Sequence, residues 1–237
     1  MGKKHLRETV WTKDKYYRIA RKGSLDVNHP GMKILEKLAN DADSILDLGC
    51  GEGTRLNLLV TQGRGVGIDI SSKAISLAKE KYPDFDFRVG DLEKLPFKNK
   101  SFDLVYSAFV FEHLDNPEKV IKEAIRVLTP GGKLVVIAPN FGAPNRSSPP
   151  FKGSRLVKLL AGFIKNMLPG KSLGWAKVMP IATAGAYEID WDTTIEPYLG
   201  SLMGFLKSLQ MKIISYDSCW NEELKGAGYL QRLFRFL

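Results

Sequence analysis

The chain has 237 residues, 44% of them hydrophobic and 26% charged, with a formal net charge of +9. That length suits one ordinary α/β domain over residues 1–237 with room for an insertion, and the composition is that of a soluble globular protein. Roughly 18 uninterrupted apolar residues would be needed to cross a bilayer. No window approaches that, MGKKHLRETVW lacks a signal peptide's apolar core, and the two cysteines, Cys50 and Cys219, show neither metal spacing nor a disulfide framework, so the cytoplasm is the expected location.

In chain order, a basic N-terminal segment containing KDKYYRIARK precedes HPGMKILEKLAN, which reads as a helix covering a sheet. From residue 44 to 140, short β-like runs alternate with helical patterns. SILDL is a buried strand, GTRLNLLVTQG a helix closed by Gly63, and GVGID a second strand. SSKAISLAKEKY is a helix with Ser71 or Ser72 as N-cap. FDFRVGD and SFDLVYSAF are the third and fourth strands. NPEKVIKEAIRVL is a helix with Asn116 as N-cap and Pro117 at its first position, and TPGG turns into a fifth strand, KLVVIAP. This alternation predicts an α/β fold, a doubly wound and mostly parallel sheet. Ligands of such sheets bind beyond the carboxyl ends of the strands.

After residue 140 the texture changes. NFGAPNRSSPPFKGS is a loop, RLVKLLAGFIKNML an amphipathic helix, and PYLGSLMGFLKSLQ another helix before a sixth strand, MKIISYDSCW. Phe151 to Pro180 holds Lys152, Arg155, Lys158, Lys165, Lys171 and Lys177 and no acid. Such a patch suits nucleic acid, an anionic membrane or an acidic substrate, or is simply a solvated basic face. The stripe Leu156, Leu160, Phe163 and Met167 leaves three readings open: packing on the domain, lining an apolar substrate pocket, or peripheral membrane contact through residues 155–168 at the inner membrane face. Glu188, Asp190 and Asp192 around Trp191 could hydrogen-bond a polar substrate or cap the next helix.

The chemistry concentrates in ILDLGCGEGT. A dinucleotide loop needs G-x-G-x-x-G; Gly49 and Gly51 fit, but Thr54 stands in the third slot. The acids Asp47 and Glu52 would repel a pyrophosphate and suit a cationic cofactor; the alternative is a tight turn with incidental acids. Two further acids end strands. Asp69 lies twenty positions after Gly49, where a carboxylate can take both hydroxyls of a ribose. Asp91 can accept from an exocyclic amine, with Leu92 over the ring. Each alone could be a cap, but all three at successive strand ends point to one cleft.

LDLGCGEGT, GVGIDIS, GDLEKLPFKNKSFDLVYS and FEHLDNPEKVIKEAIRVLTPGGKLVVIAPN, together spanning about residues 44–140, resemble the class I S-adenosylmethionine-dependent methyltransferases of the type 11 group. The resemblance implies a Rossmann-like seven-stranded sheet of order 3-2-1-4-5-7-6, S-adenosyl-L-methionine as cofactor and methyl transfer as reaction. By position Asp47, Gly49 and Gly51 match the loop for the amino acid part. Asp69 and Ile70 match the ribose site, Asp91 and Leu92 the adenine site, and Ser107 the backbone contact after strand four. His113, beside Glu112, is the candidate general base, or else these positions shape the pocket. Phe109 and Phe111 either flank the methyl group or are core. No metal is expected.

The chain stops after NEELKGAGYLQRLFRFL, so a seventh strand is expected to be missing. The segment 141–197 is expected to be a variable cap that binds substrate, and the acceptor a small molecule, a lipid-linked molecule or a glycan. The base-methylating tetrapeptide is absent after strand four, where SAFV stands, so nucleic acid is not the expected partner. A cofactor-binding scaffold or regulator without transfer, and an RNA methyltransferase suggested by charge, are the rival readings.

Overall fold

The computed structural model describes residues 16–18, 21, 24–25, 29–167, 170–181 and 190–216. The chain divides into two compact units, one built on the residues up to Ala138 and the other from Pro139 onward.

In the first unit, helix α1 (Pro30–Ala39) opens on a proline, whose missing N–H costs nothing in a first helical turn. His29 Nδ1 accepts from Gly31 N at 3.1 Å, and Met32, Leu35 and Ala39 are buried. Strands β1 (Ser44–Leu48), β2 (Arg64–Asp69), β3 (Asp86–Val89), β4 (Phe102–Ala108) and β5 (Leu128–Ile137) form a single sheet in the order β3-β2-β1-β4-β5. Every pairing in it is parallel. Helices α2 (Thr54–Leu59), α3 (Ser72–Lys81) and α4 (Pro117–Val127) are the crossovers. Ile45, Leu46, Leu48, Val66, Ile68 and Val105 are wholly inaccessible, as strands covered on both faces require. The Rossmann-like doubly wound architecture is therefore present.

Several local expectations need correcting. Helix α2 ends at Leu59 rather than at Gly63, because β-branched Val60 turns extended. Ser71 is the cap of α3, its hydroxyl accepting from Ala74 N at 3.2 Å. Asn116 occupies the cap position of α4 without a side-chain capping bond; Pro117 supplies the start instead. TPGG does not precede the fifth strand but lies within β5, and the pairing jumps from Phe102 opposite Leu128 to Leu104 opposite Lys133. Gly131, at φ 82°, lets the chain bulge there without ending the ladder. Met211–Tyr216, expected as part of a sixth strand, is irregular. Residues 217–237, with the remainder of that strand and the segment NEELKGAGYLQRLFRFL, lie outside the described residues.

The second unit contains α5 (Arg155–Met167), a two-residue antiparallel ladder of β6 (Ala176–Lys177) and β7 (Ile195–Glu196), and α6 (Leu199–Ser208). The described residues of the expected cap segment 141–197 fall in this unit together with α6. Its centre is a buried carboxylate. Glu196 accepts from Ser148 N at 2.7 Å and Ser148 Oγ at 3.0 Å. Lys158 Nζ donates to Glu196 Oε2 and to Phe141 O, each at 2.6 Å, and lies 4.5 Å from the centre of the Phe151 ring. SPPF is thus structural loop. Asp190 to Thr194 form a turn leading into β7, in which Ile181 N donates to Trp191 O at 2.9 Å. They do not cap α6, whose cap position is Tyr198. Glu188 lies outside the described residues.

Candidate functional site

The loop after β1 carries three glycines with left-handed backbone: Gly49 at φ 80°, Gly51 at 55° and Gly53 at 82°. Gly49 N and Cys50 N both donate to Ile68 O, at 2.8 and 3.1 Å, which ties the loop to the end of β2. A Cβ on Gly49 would lie 2.5 Å from Val110 Cγ2, whereas one on Gly51 would meet nothing within 4 Å. The two glycines therefore differ. Gly49 is required by packing, while Gly51 borders open space that a side chain would fill. Thr54, in the slot of a dinucleotide loop's third glycine, turns inward to a 3.0 Å hydrogen bond with Tyr82 Oη.

Asp47 is fully buried at the end of β1. Tyr106 Oη donates to its Oδ2 at 2.7 Å, the two residues being register partners on β1 and β4. Its Oδ1 has no hydrogen-bond partner among the described residues. Burial pushes the Asp47 pKa up to about 7, against the opposing pull of the Arg55 guanidinium and the Tyr106 hydrogen bond. Arg55, also buried, donates to Ala108 O at 3.3 Å. Its guanidinium carbon stands 5.6 Å from the centre of the Phe109 ring.

Asp69 ends β2 and organises the loop beside it. Its Oδ2 accepts from Gly51 N at 3.0 Å and its Oδ1 from Ser71 N at 2.8 Å. Burial raises its pKa and these backbone donors offset part of the rise. Tyr17 Oη donates to Ser71 Oγ at 2.6 Å, so the N-terminal segment reaches the same place. Asp91, after β3, is exposed, and its Oδ1 accepts from Glu93 N at 2.8 Å. The Asp69 and Asp91 ends are joined by Gly90 N donating to Asp69 O at 2.9 Å. Ile70 is exposed and Leu92 buried. Ser107 is buried, its hydroxyl donating to Leu48 O at 3.0 Å.

Three sequence expectations are modified here. Glu52 does not face a ligand: it is buried and paired with Lys81 Nζ. Alternation along an extended segment would put Phe109 and Phe111 on one face, but the two separate. Strand β4 ends at Ala108, Phe109 adopts φ 60° and stays partly exposed, and Phe111 enters a 3₁₀ turn (Phe111–His113) and is buried. His113 Nε2 is 4.0 Å from Glu112 Oε1, too far for a hydrogen bond; Glu112 is buried and His113 only partly so. Tyr106, Arg55 and Lys81 escaped sequence reasoning. Asp47 and Tyr106 are 59 positions apart, and only the β1–β4 register could have linked them.

The named acids, the glycine loop, Ser107 and His113 thus all lie at or just beyond the carboxyl ends of β1 to β4. Among the described residues no cluster of His, Cys, Asp and Glu could hold a metal ion. Residues 46–136 match the family model described as a methyltransferase domain, Methyltransf_11. Those residues thus form a methyltransferase domain of the type 11 group.

The chain resembles curated relatives over this region. A protein of Mycolicibacterium smegmatis named "Probable S-adenosylmethionine-dependent methyltransferase" is 36% identical over 131 residues, 50% of this chain and 51% of that protein. A demethylmenaquinone methyltransferase of Renibacterium salmoninarum is 38% identical over 102 residues, 41% of this chain and 43% of that one. The chain spans about half or less of these two relatives. The crystal structure of the YcgJ protein of Bacillus subtilis matches 87% of this chain and 81% of its own, with a TM-score of 0.53 and 17% identity. That likeness concerns the fold alone. A methyltransferase domain of this type implies use of S-adenosylmethionine.

Proposed function

We propose that this methyltransferase moves the methyl group of S-adenosylmethionine to a small-molecule, lipid-linked or glycan acceptor. The observation that carries the reading is the pairing of an unpartnered, buried Asp47 Oδ1 with open space at Gly51. A buried acceptor oxygen without a donor is costly, and an ammonium group supplies the donor. The bare backbone at Gly51 leaves room for the amino acid part that carries it. The chain's residues thus fit the cofactor that the family implies.

Bound there, the cofactor supplies an electrophilic methyl carbon on a sulfonium. Asp47 holds the ammonium as a carboxylate, with Tyr106 and Arg55 stabilising the ionised form. Asp69, its carboxylate fixed by Gly51 N and Ser71 N, takes the ribose hydroxyls with Ile70 beside it. Asp91 and Leu92 take the adenine, and the main chain at Ser107 completes the wall. In-line transfer asks the protein mainly for alignment and exclusion of water. For an oxygen acceptor, His113 in the 3₁₀ turn that follows β4 would take the proton.

The test is calorimetric titration with S-adenosylmethionine, then incubation of labelled cofactor with polar, lipid and RNA fractions of a cell extract. Label in a small-molecule, lipid or glycan product is expected. Failure to bind the cofactor would overturn the reading. Binding with no labelled product in any fraction would replace it with a scaffold, and label confined to RNA would reassign the acceptor.

A further inference from the structure

Helix α5 sits on its unit with its apolar side outward. Gly162 is buried against Pro144, so closely that a Cβ there would lie 2.2 Å from the proline Cγ. Lys158 reaches inward on the same side to Glu196 and Phe141 O. At about 3.6 residues per turn, Leu156, Val157, Leu159, Leu160, Phe163 and Ile164 share the other side, and their exposures run from 38% to 65%. A surface helix ordinarily buries such a stripe against the core. Here a polar and small-residue face makes the contact, and the outward side is a contiguous apolar patch of the kind that marks an interaction surface.

The surrounding charge identifies the partner. No Asp or Glu occurs from Ala124 to Tyr187, and Lys152, Arg155, Lys165, Lys171 and Lys177 of this unit are all exposed. A second copy would bring the same cations against these. A lipid surface bearing negative headgroups meets both halves of the pattern, the large apolar side chains entering the acyl boundary and the cations remaining among the headgroups. We propose that α5 docks this protein on an anionic phospholipid surface. The docking does not depend on methyl transfer; where both hold, the acceptor is a lipid-linked molecule presented at that surface.

Co-sedimentation of the full chain with vesicles tests it, comparing phosphatidylcholine alone with phosphatidylcholine mixed with phosphatidylglycerol. Binding to the mixed vesicles is expected to exceed binding to the neutral ones by at least about tenfold and to weaken with added salt. Leu160→Ser with Phe163→Ser should abolish it. Each of Arg155→Gln, Lys171→Gln and Lys177→Gln should lower it by about fivefold. All these side chains are exposed, so the variants are expected to keep the parent's thermal unfolding and cofactor titration. Equal partitioning to both vesicle types would overturn the proposal, as would a serine variant that binds like the parent. A parent that ignores vesicles but forms a dimer that the serine variant dissolves would also overturn it, giving the face to a second copy. Cofactor titration reads the methyl-transfer reading separately, so either can fail alone.

Discussion

Asp47 is a carboxylate whose folded environment favours its neutral form, and this couples both stability and ligand affinity to pH. Its pKa is pushed up to about 7 by burial, against about 4 in an unfolded chain. Between those values the folded state holds a proton that the unfolded state has lost, so this residue's contribution to stability is whole below about pH 4 and is lost as pH rises towards 7. Asp47→Asn should therefore be at least as stable as the parent at pH 7, with the downward slope between pH 4 and 7 removed in denaturant titrations. Binding an ammonium requires the ionised form. Affinity for S-adenosylmethionine should fall by about tenfold per unit as pH drops below 7, and the asparagine variant should lose that slope along with most of its affinity. The loop glycines offer a second contrast. Gly49→Ala meets both left-handed backbone and the Val110 side chain, and should cost about 2–4 kcal/mol. Gly51→Ala meets only the backbone term, about 1 kcal/mol, yet its Cβ enters the open space and should weaken cofactor binding by more than its effect on folding. Unfolding curves and calorimetry on both variants separate these outcomes.

At the scale of elements, the sheet turns local choices into a site. Tyr106 is held opposite Asp47 by the β1–β4 register. Tyr106→Phe should remove a donor that holds the Asp47 pKa down, costing about 1–3 kcal/mol and moving the pH break in cofactor affinity upward. In the second unit, Glu196→Gln leaves Lys158 without its buried counter-charge and should destabilise by about 3–5 kcal/mol, while replacing both by apolar residues of similar volume should cost much less. Thermal unfolding of the single and double variants gives the comparison. What the sequence disclosed follows the same division. Asp69 and Asp91 could be placed because one ends its strand and the other follows its strand by two residues, and the cap at Ser71 or Ser72 because a cap acts within three residues. The pairing of Glu52 with Lys81 spans 29 positions and that of Asp47 with Tyr106 spans 59, so neither leaves a local trace. The backbone of Phe109 was equally hidden, since nothing in SAFVF announces a left-handed phenylalanine. In α5 the periodicity revealed an apolar stripe but not its direction; that was decided by Gly162 and Lys158 packing inward.

For the whole molecule, the described sheet has the order β3-β2-β1-β4-β5, the first five strands of the order that the resemblance implies, and among the described residues no helix is long and apolar enough to cross a membrane. Ligand at about a hundred times its dissociation constant should stabilise the protein by about 2.7 kcal/mol if only the folded state binds; a thermal shift with S-adenosylmethionine, absent with adenosine at the same concentration, is the expected reading. The place of β4 in the sheet also imposes a timetable on biosynthesis. β1 is central, yet its second neighbour is translated only after β2 and β3, and the hydroxyl that steadies Asp47 arrives 59 residues later. At about 5–20 residues per second, a nascent chain spends several seconds with the glycine loop already made and its anchoring strand not yet synthesised. Through that interval the flank of β1 that β4 will cover lacks its hydrogen-bonding partner strand.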